Sequence, residues 1–336
     1  MGKRLGNVFD AICDMDNLSL AFKKVRRGKS HRPDMVEFQE NLKWNLLGIR
    51  EDLLSGNFAL GRYHVFKVYD PKERTIHAAP VRERVIHHAI INLCGPWLER
   101  PLIDNTFACR TGKGQWAAIA KAQELSRKYS WCLKLDIKSY FDSIDQKILF
   151  SMLLGKFKDP RLLDLFHELL STYYSTVPGK GLPIGNLTSQ FFANFYLAPF
   201  DRLASSRDHH GYVRYMDDML IFGEHQELKE FLALAREFLH DELQLTIKRG
   251  GSLQPISRGI DFLGCRVYPH HLLLNRRSRI RFLRKNRLLV RLYDEERISD
   301  RELQTRATAL YGFASHTDIS GLVKKLWAPE IPDGIS

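Results

Sequence analysis

Two short β-prone runs, Tyr212–Tyr215 and Met219–Phe222, are separated only by Met216-Asp217-Asp218. Runs of that kind joined by a tight connection form an antiparallel hairpin, so the spacing predicts two adjacent carboxylates at a hairpin tip. Like charges side by side repel, and a compact pair persists only where solvent or cations neutralise it. Taken alone, the segment reads equally well as an ordinary Asp-rich turn, because motifs this short recur by chance.

A second segment shifts that balance. Trp131-Cys132-Leu133-Lys134-Leu135-Asp136 alternates like a strand with Asp136 at its end, and Ile137–Phe141 turns into a helix. A strand-end Asp beside the hairpin gives three hard oxygen ligands, Asp136, Asp217 and Asp218, a set suited to Mg²⁺ (or Mn²⁺) rather than zinc. Two such ions, about 4 Å apart, would activate an attacking hydroxyl and stabilise a leaving pyrophosphate. Phosphoryl transfer of this kind needs positioning and charge more than a protein nucleophile. Asp142 is expected to cap or decorate the following helix instead.

With 336 residues, 44% of them apolar and 27% charged, the chain can bury a sizeable core and is not a disordered segment. No run of about 18 apolar residues is present, so no membrane span is expected. The N-terminus lacks a secretory leader, which points to a cytoplasmic protein. The net charge of +12 favours a polyanionic partner, nucleic acid ahead of acidic lipid. Five scattered cysteines fit neither a zinc site nor a disulfide framework and read as reduced, mostly buried thiols.

Residues 1–60 read as a basic helical N-terminal extension in which Lys23, Lys24, Arg26, Arg27, Lys29 and Arg32 surround Gly28. In isolation that run is as readily a solvated loop as an RNA contact, and the overall charge favours the contact. Strands are expected at Tyr63–Tyr69 and Arg74–Ala79 about a turn at Asp70-Pro71-Lys72, then a helix over Val81–Trp97 with His87 and His88 as core or surface residues. A helix over Leu187–Ala204 would bury Leu187, Phe191, Phe195 and Ala198, and Pro199 should kink or break it. Further on come an amphipathic helix at 224–245, a strand pair at 259–268, a helix over Asn275–Arg291 and another over 305–327 that includes Trp327. The basic stripe of the Asn275–Arg291 helix is Arg277, Arg281, Arg284 and Arg291. Helices enclosing a few antiparallel strands make the expected class α+β.

Four of these segments resemble, in order, the motifs of the reverse transcriptase palm. They are Leu135-Asp136-Ile137-Lys138-Ser139-Tyr140-Phe141-Asp142, Gly181-Leu182-Pro183-Ile184-Gly185-Asn186-Leu187-Thr188-Ser189-Gln190, Tyr215-Met216-Asp217-Asp218 and Asp261-Phe262-Leu263-Gly264. The resemblance implies a right-hand polymerase fold, with fingers and palm over 61–268 and a helical thumb over 269–336. Its finer match is to reverse transcriptases of diversity-generating retroelements. Group II intron and retron enzymes carry Gln-Gly and end the second segment Ser-Pro, whereas this chain has Ile184-Gly185 and ends Ser189-Gln190. The segment 66–90 and Gly112-Lys113-Gly114 look like the same group, although some phage-defence enzymes share these features.

Roles follow from that resemblance residue by residue. Asp136, Asp217 and Asp218 would hold the two ions. Phe141 would exclude a ribose 2′-hydroxyl, Lys67 and Arg74 would grip the triphosphate, and Lys248 would protonate pyrophosphate. Ile184 and Gly185 would border the nucleotide, and Phe262, Leu263 and Gly264 would form the primer grip, for which a plain buried strand is an equal account of Phe262 and Leu263. Ile184 lacks the donor and acceptor of a Gln, and losing one such contact costs roughly 1 kcal/mol of discrimination. The resemblance implies error-prone copying of a template RNA into cDNA, chiefly opposite adenine, from deoxynucleoside triphosphates and a DNA primer. It also implies a small basic accessory protein oligomer as partner. After the primer grip only about 70 residues remain, enough for a thumb and not for an RNase H or endonuclease domain. An RNA-dependent RNA polymerase and a non-catalytic RNA-binding scaffold are the rival readings; Phe141 opposes the first and the three carboxylates the second.

Overall fold

A computed structural model describes residues 3–69, 73–206 and 210–322. The expected turn at Asp70–Lys72 and Trp327 lie outside them. The chain opens on four helices, α1 (Phe9–Ile12), α2 (Met15–Arg26), α3 (Pro33–Glu40) and α4 (Leu42–Ser55). Local chemistry sets their ends. Asp14 caps α2 by accepting from the Asp16 amide at 2.8 Å, Pro33 starts α3, and Gly56 stops α4 at φ 78°. Strands β1 (His64–Tyr69) and β2 (Glu73–Ala78) form an antiparallel ribbon, followed by α5 (Val81–Glu99) and α6 (Gln115–Ser126).

Next come β3 (Trp131–Asp136), the single turn α7 (Tyr140–Ser143), α8 (Gln146–Leu154) and α9 (Pro160–Ser171). The expected long helix over Leu187–Ala204 is broken into α10 (Leu187–Tyr196) and α11 (Ala198–Ser205), with Pro199 in the first turn of α11. Proline has no amide hydrogen to extend α10, and an N-terminal turn needs none. Of the four side chains expected inside, Phe195 and Ala198 are buried, whereas Leu187 and Phe191 are not fully so. Thr188, Phe192, Phe195 and Tyr196 go inside, while Leu187 and Phe191 stay half-buried on its flank, Phe191 resting against Gly95 of α5. Phe192 packs edge-to-face with Phe166 at 5.4 Å.

The chain continues through β4 (Gly211–Tyr215), β5 (Asp218–Gly223), α12 (His225–Asp241) and β6 (Ser252–Pro255). The four palm strands pair in the order β4-β5-β3-β6, antiparallel throughout. Alternation sorts their side chains between two cores. Leu133, Leu135, Met219 and Ile221 face a large core shared with α2, α5, α10 and α12, whereas Cys132, Leu220 and Phe222 face a smaller one shared with α6. Val8, Phe9, Leu18 and Phe22 belong to the large core, so the basic N-terminal helices are rooted in the palm.

The smaller core is closed by β7 (Ile260–Phe262), β8 (Cys265–Val267) and β9 (Leu272–Leu274), a three-stranded sheet where the sequence pattern shows a pair. β9 is only three residues long, too short to alternate legibly. Last come α13 (Arg276–Asp294), capped by Asn275, and α14 (Asp300–Ala314), opened by a Ser299/Glu302 capping box. α14 begins earlier and ends sooner than its apolar pattern indicates. Four of the five cysteines are buried thiols; Cys109 is exposed. Among the described residues no helix is long and apolar enough to cross a membrane.

Candidate active site

The hairpin forms as its sequence dictates. Tyr215 pairs with Asp218, leaving Met216 and Asp217 as a two-residue turn, and Met216 takes φ 57°, a conformation that tight hairpin turns demand and side chains resist. What holds it there is Arg214. Its Nη1 donates to the Met216 carbonyl at 3.0 Å and to Asn194 Oδ1 at 2.9 Å. Its Nε and Nη2 form a fork onto Asp201, both at 2.6 Å, and Nη2 also reaches the Asn194 carbonyl. Asp201 further accepts from Tyr212 and Thr106, so a wholly buried ion pair sits satisfied beneath the tip. The alternating Tyr-Val-Arg-Tyr pattern places Arg214 in the strand but gives no sign of its partner, which lies on α11.

Asp136 and Asp218 are register partners on β3 and β5, so their carboxylates rise from the same sheet face. That face is opposite to the one Arg214 occupies, because Arg214 pairs with Met219. Each carboxylate has an ammonium partner. Lys248 Nζ donates to Asp136 Oδ2 at 3.0 Å, brought there because Ile247 bridges to Ile137 and the Lys138 amide bonds the Thr246 carbonyl. Lys134 Nζ lies 3.0 Å from Asp218 Oδ1. Among the described residues Asp217 has no such salt bridge. Burial first, then the Asp218 and Asp136 charges, push its carboxyl up to about 6, with Arg74 pulling the other way.

Three oxygen donors of this charge suit a divalent, oxygen-seeking cation. Among the described residues, however, no three such side chains stand in ready-made ligand geometry. Lys134 and Lys248 already engage an oxygen of Asp218 and of Asp136.

The ribbon separates two residues expected to act together. Lys67 pairs with Thr75, and Arg74 with Val68, so Lys67 and Arg74 leave opposite faces. Arg74 is near enough to act on Asp217, whereas Lys67 is engaged by Glu73 at 2.6 Å. The ribbon docks on the palm loop through the His77 amide, which donates to the Ile184 carbonyl at 2.8 Å. Gly185 has φ 121°, and a Cβ there would lie 3.0 Å from Ile76 and 3.2 Å from the His77 carbonyl, so only glycine fits. Phe141 is half-buried, and its carbonyl accepts from the Leu182 amide at 2.8 Å, tying it to the same loop. Asp142 is exposed and accepts from the Tyr173 hydroxyl, as its expected surface role allows. His87 is buried between Glu83 and Thr188, a core histidine.

Phe262 is buried, and Leu263 and Gly264 form a two-residue turn with φ 47° and 85°. A Cβ on Gly264 would stand 3.0 Å from Ser278 Oγ and 3.1 Å from Phe313 Cζ, so the close approach that fixes this glycine is made by α13 and α14. Both turn carbonyls are taken, Leu263 by Gln115 Nε2 at 2.7 Å and Gly264 by the Asn275 amide at 3.0 Å.

Comparison with known proteins agrees with this geometry. Residues 70–267, more than half of the chain, match the family described as reverse transcriptase (RNA-dependent DNA polymerase). Protein YkfC of Escherichia coli is 22% identical over 290 residues, covering 72% of this chain and 74% of its own length. The COX1/OXI3 intron 2 protein of Saccharomyces cerevisiae is 23% identical over 213 residues, or 44% of this chain. The match spans only 25% of the yeast protein. Among solved structures, telomerase from Candida albicans aligns with 10% identity and a TM-score of 0.46 over 75% of this chain and 55% of its own.

Proposed function

Because the chain belongs to the reverse transcriptase family, we propose that it is an RNA-directed DNA polymerase that copies a template RNA into error-prone cDNA. The observation that carries the reading is the cross-strand pair Asp136 and Asp218, with Asp217 next to Asp218 in the turn of the β4–β5 hairpin. In this reading those three carboxylates hold two Mg²⁺ ions, which supply a polarised primer hydroxyl and charge neutralisation at the leaving pyrophosphate. Arg74 orients the triphosphate, since a guanidinium fork suits phosphate oxygens. Lys67 assists from the other ribbon face after exchanging Glu73 for phosphate. Phe141, anchored through its carbonyl to the 181–185 loop, closes the space a 2′-hydroxyl would need. Phe262, Leu263 and Gly264 set the height of the primer end. Lys248 begins paired to Asp136 and, once that carboxylate is neutralised, is placed to give a proton to pyrophosphate.

The finer role we propose is diversification, with adenine-directed errors and a basic accessory protein as partner. Ile184 supports it. The residue is half-buried with its carbonyl taken by His77, and its side chain offers neither donor nor acceptor to check base-pair fit. Sequencing cDNA made on a defined RNA tests this directly. Errors concentrated opposite template adenine are expected, and Ile184→Gln should lower them several-fold. An even error spectrum unchanged by the substitution would sink the diversification reading. It would instead favour an intron-type or defence enzyme, a second reading to which the match with a yeast intron protein and a plant intron maturase lends weight.

A further inference from the structure

Lys134 holds two things that polymerase chemistry needs in register. It leaves β3 on the same face as Asp136, two residues away, in a strand whose neighbours on that face run down into the smaller core. Its ammonium has three donors. One meets Asp218 Oδ1 at 3.0 Å, and another donates to the main-chain carbonyl of Asp261 at 2.7 Å. Asp261 lies in β7, an edge strand of the small sheet, so an outward carbonyl of that strand is free of ladder partners and available to a side chain. Two residues on, the same strand has become the Leu263-Gly264 turn. The Lys134 side chain is 25% exposed, sheltered enough to keep one geometry and open enough to exchange partners.

We propose that Lys134 is a positioning residue that couples the primer-grip strand to Asp218. Without a divalent cation it holds the Asp218 carboxylate in place. When a cation takes that carboxylate, the ammonium gives it up and keeps its hold on the Asp261 carbonyl, so the group that holds the ligand before the ion arrives steadies the primer-grip strand afterwards. The proposal rests on reading Asp218 as a cation ligand. It differs from general electrostatic support in predicting effects of opposite sign. Removing the ammonium should strengthen cation binding, because a competitor is gone, while weakening engagement of the primer.

Mn²⁺ binding to the full chain without nucleic acid, followed by electron paramagnetic resonance, gives a readout independent of turnover. Lys134→Met should bind Mn²⁺ about three- to fivefold more tightly than the wild type, the scale of a partly exposed ion pair. In steady-state extension the same variant should show a raised KM for primer–template with an unchanged KM for the deoxynucleotide. Lys134→Arg, which keeps a donor for the Asp261 carbonyl, should restore the primer KM and confirm that the variants fold. Asp218→Asn separates the two layers. Wild-type Mn²⁺ affinity in Asp218→Asn would overturn the ligand reading itself. Lost binding there, with Lys134→Met binding Mn²⁺ like the wild type or leaving primer KM unchanged, would overturn the coupling alone.

Discussion

The Nη1 of Arg214 donates to the carbonyl of Met216 at 3.0 Å, across the turn it precedes by two residues. The hairpin tip is thereby tied to a buried ion pair with Asp201 on α11, on the sheet face opposite the carboxylates. A left-handed Met216 is strained by about 1 kcal/mol or more, and a carbonyl anchored to a fixed guanidinium is what keeps it there.

Breaking that tie should be costly. Arg214→Met leaves Asp201 charged and buried with only two hydroxyl donors, and a loss of about 3–5 kcal/mol is expected in urea unfolding. The double variant Arg214→Met/Asp201→Leu should recover much of that stability without recovering extension activity, since Met216 still lacks its anchor. A double variant as active as the wild type would show that the tip holds its shape unaided.

Asp217 links the site to pH. Its carboxyl is raised to about 6 from the ordinary 3.8, so the folded chain binds that proton more tightly than the unfolded one. The stabilising contribution of the neutral carboxyl is present below the ordinary Asp range and is lost as pH rises through about 6. Asp217→Asn in a chelator should therefore raise the melting temperature at pH 8 and leave it unchanged near pH 3. Mn²⁺ affinity of the wild type should fall as pH drops below about 6, where proton and cation compete for the same oxygen, and Asp217→Asn should flatten that dependence.

Phe141 is set by main-chain bonding to Leu182, not by ring contacts alone, so truncation should leave the backbone in place. Phe141→Ala is expected to raise ribonucleotide incorporation at least tenfold relative to deoxynucleotide in single-nucleotide extension, with the melting temperature within a few degrees of wild type. An unchanged sugar preference would remove the gate role.

Gly264→Ala tests the junction between the small sheet and the helices α13 and α14. The left-handed φ of 85° and the contacts at 3.0 and 3.1 Å with Ser278 and Phe313 should together cost about 1–3 kcal/mol. Limited proteolysis should then cut first after residue 264, while a Gly264→Ala protein with wild-type protease resistance would show that α13 and α14 yield to the added methyl.

Much of the candidate site was legible in the chain because its three carboxylates lie at strand ends or in the turn between two strands. Asp136 closes an alternating run, and Asp217-Asp218 interrupts two others, so local pattern placed all three at the right points of a sheet. The break at Pro199 was legible for the same local reason. Arg214, Lys134 and β9 were not. Arg214 and Lys134 look like outward polar residues of half-buried strands, and β9 has too few residues to show a period. Phe195 and Ala198 are buried as expected, but Phe191 and Phe192 are equally apolar in the chain, and only the position of α5 and Phe166 decides which one is buried.

By itself the sequence determined the carboxylate hairpin, the strand that ends at Asp136, and the charge that calls for a polyanion, since these depend on period-two alternation, turn chemistry and composition. Tertiary structure alone decided what surrounds the hairpin. It set the Asp201 charge under Arg214 from 13 residues away, brought Lys248 to Asp136 across 112 residues, and gave Lys134 its two partners on separate sheets. Side-chain partners so distant in sequence carry no local signal, because packing the sheet between two cores is what brings them within hydrogen-bond reach.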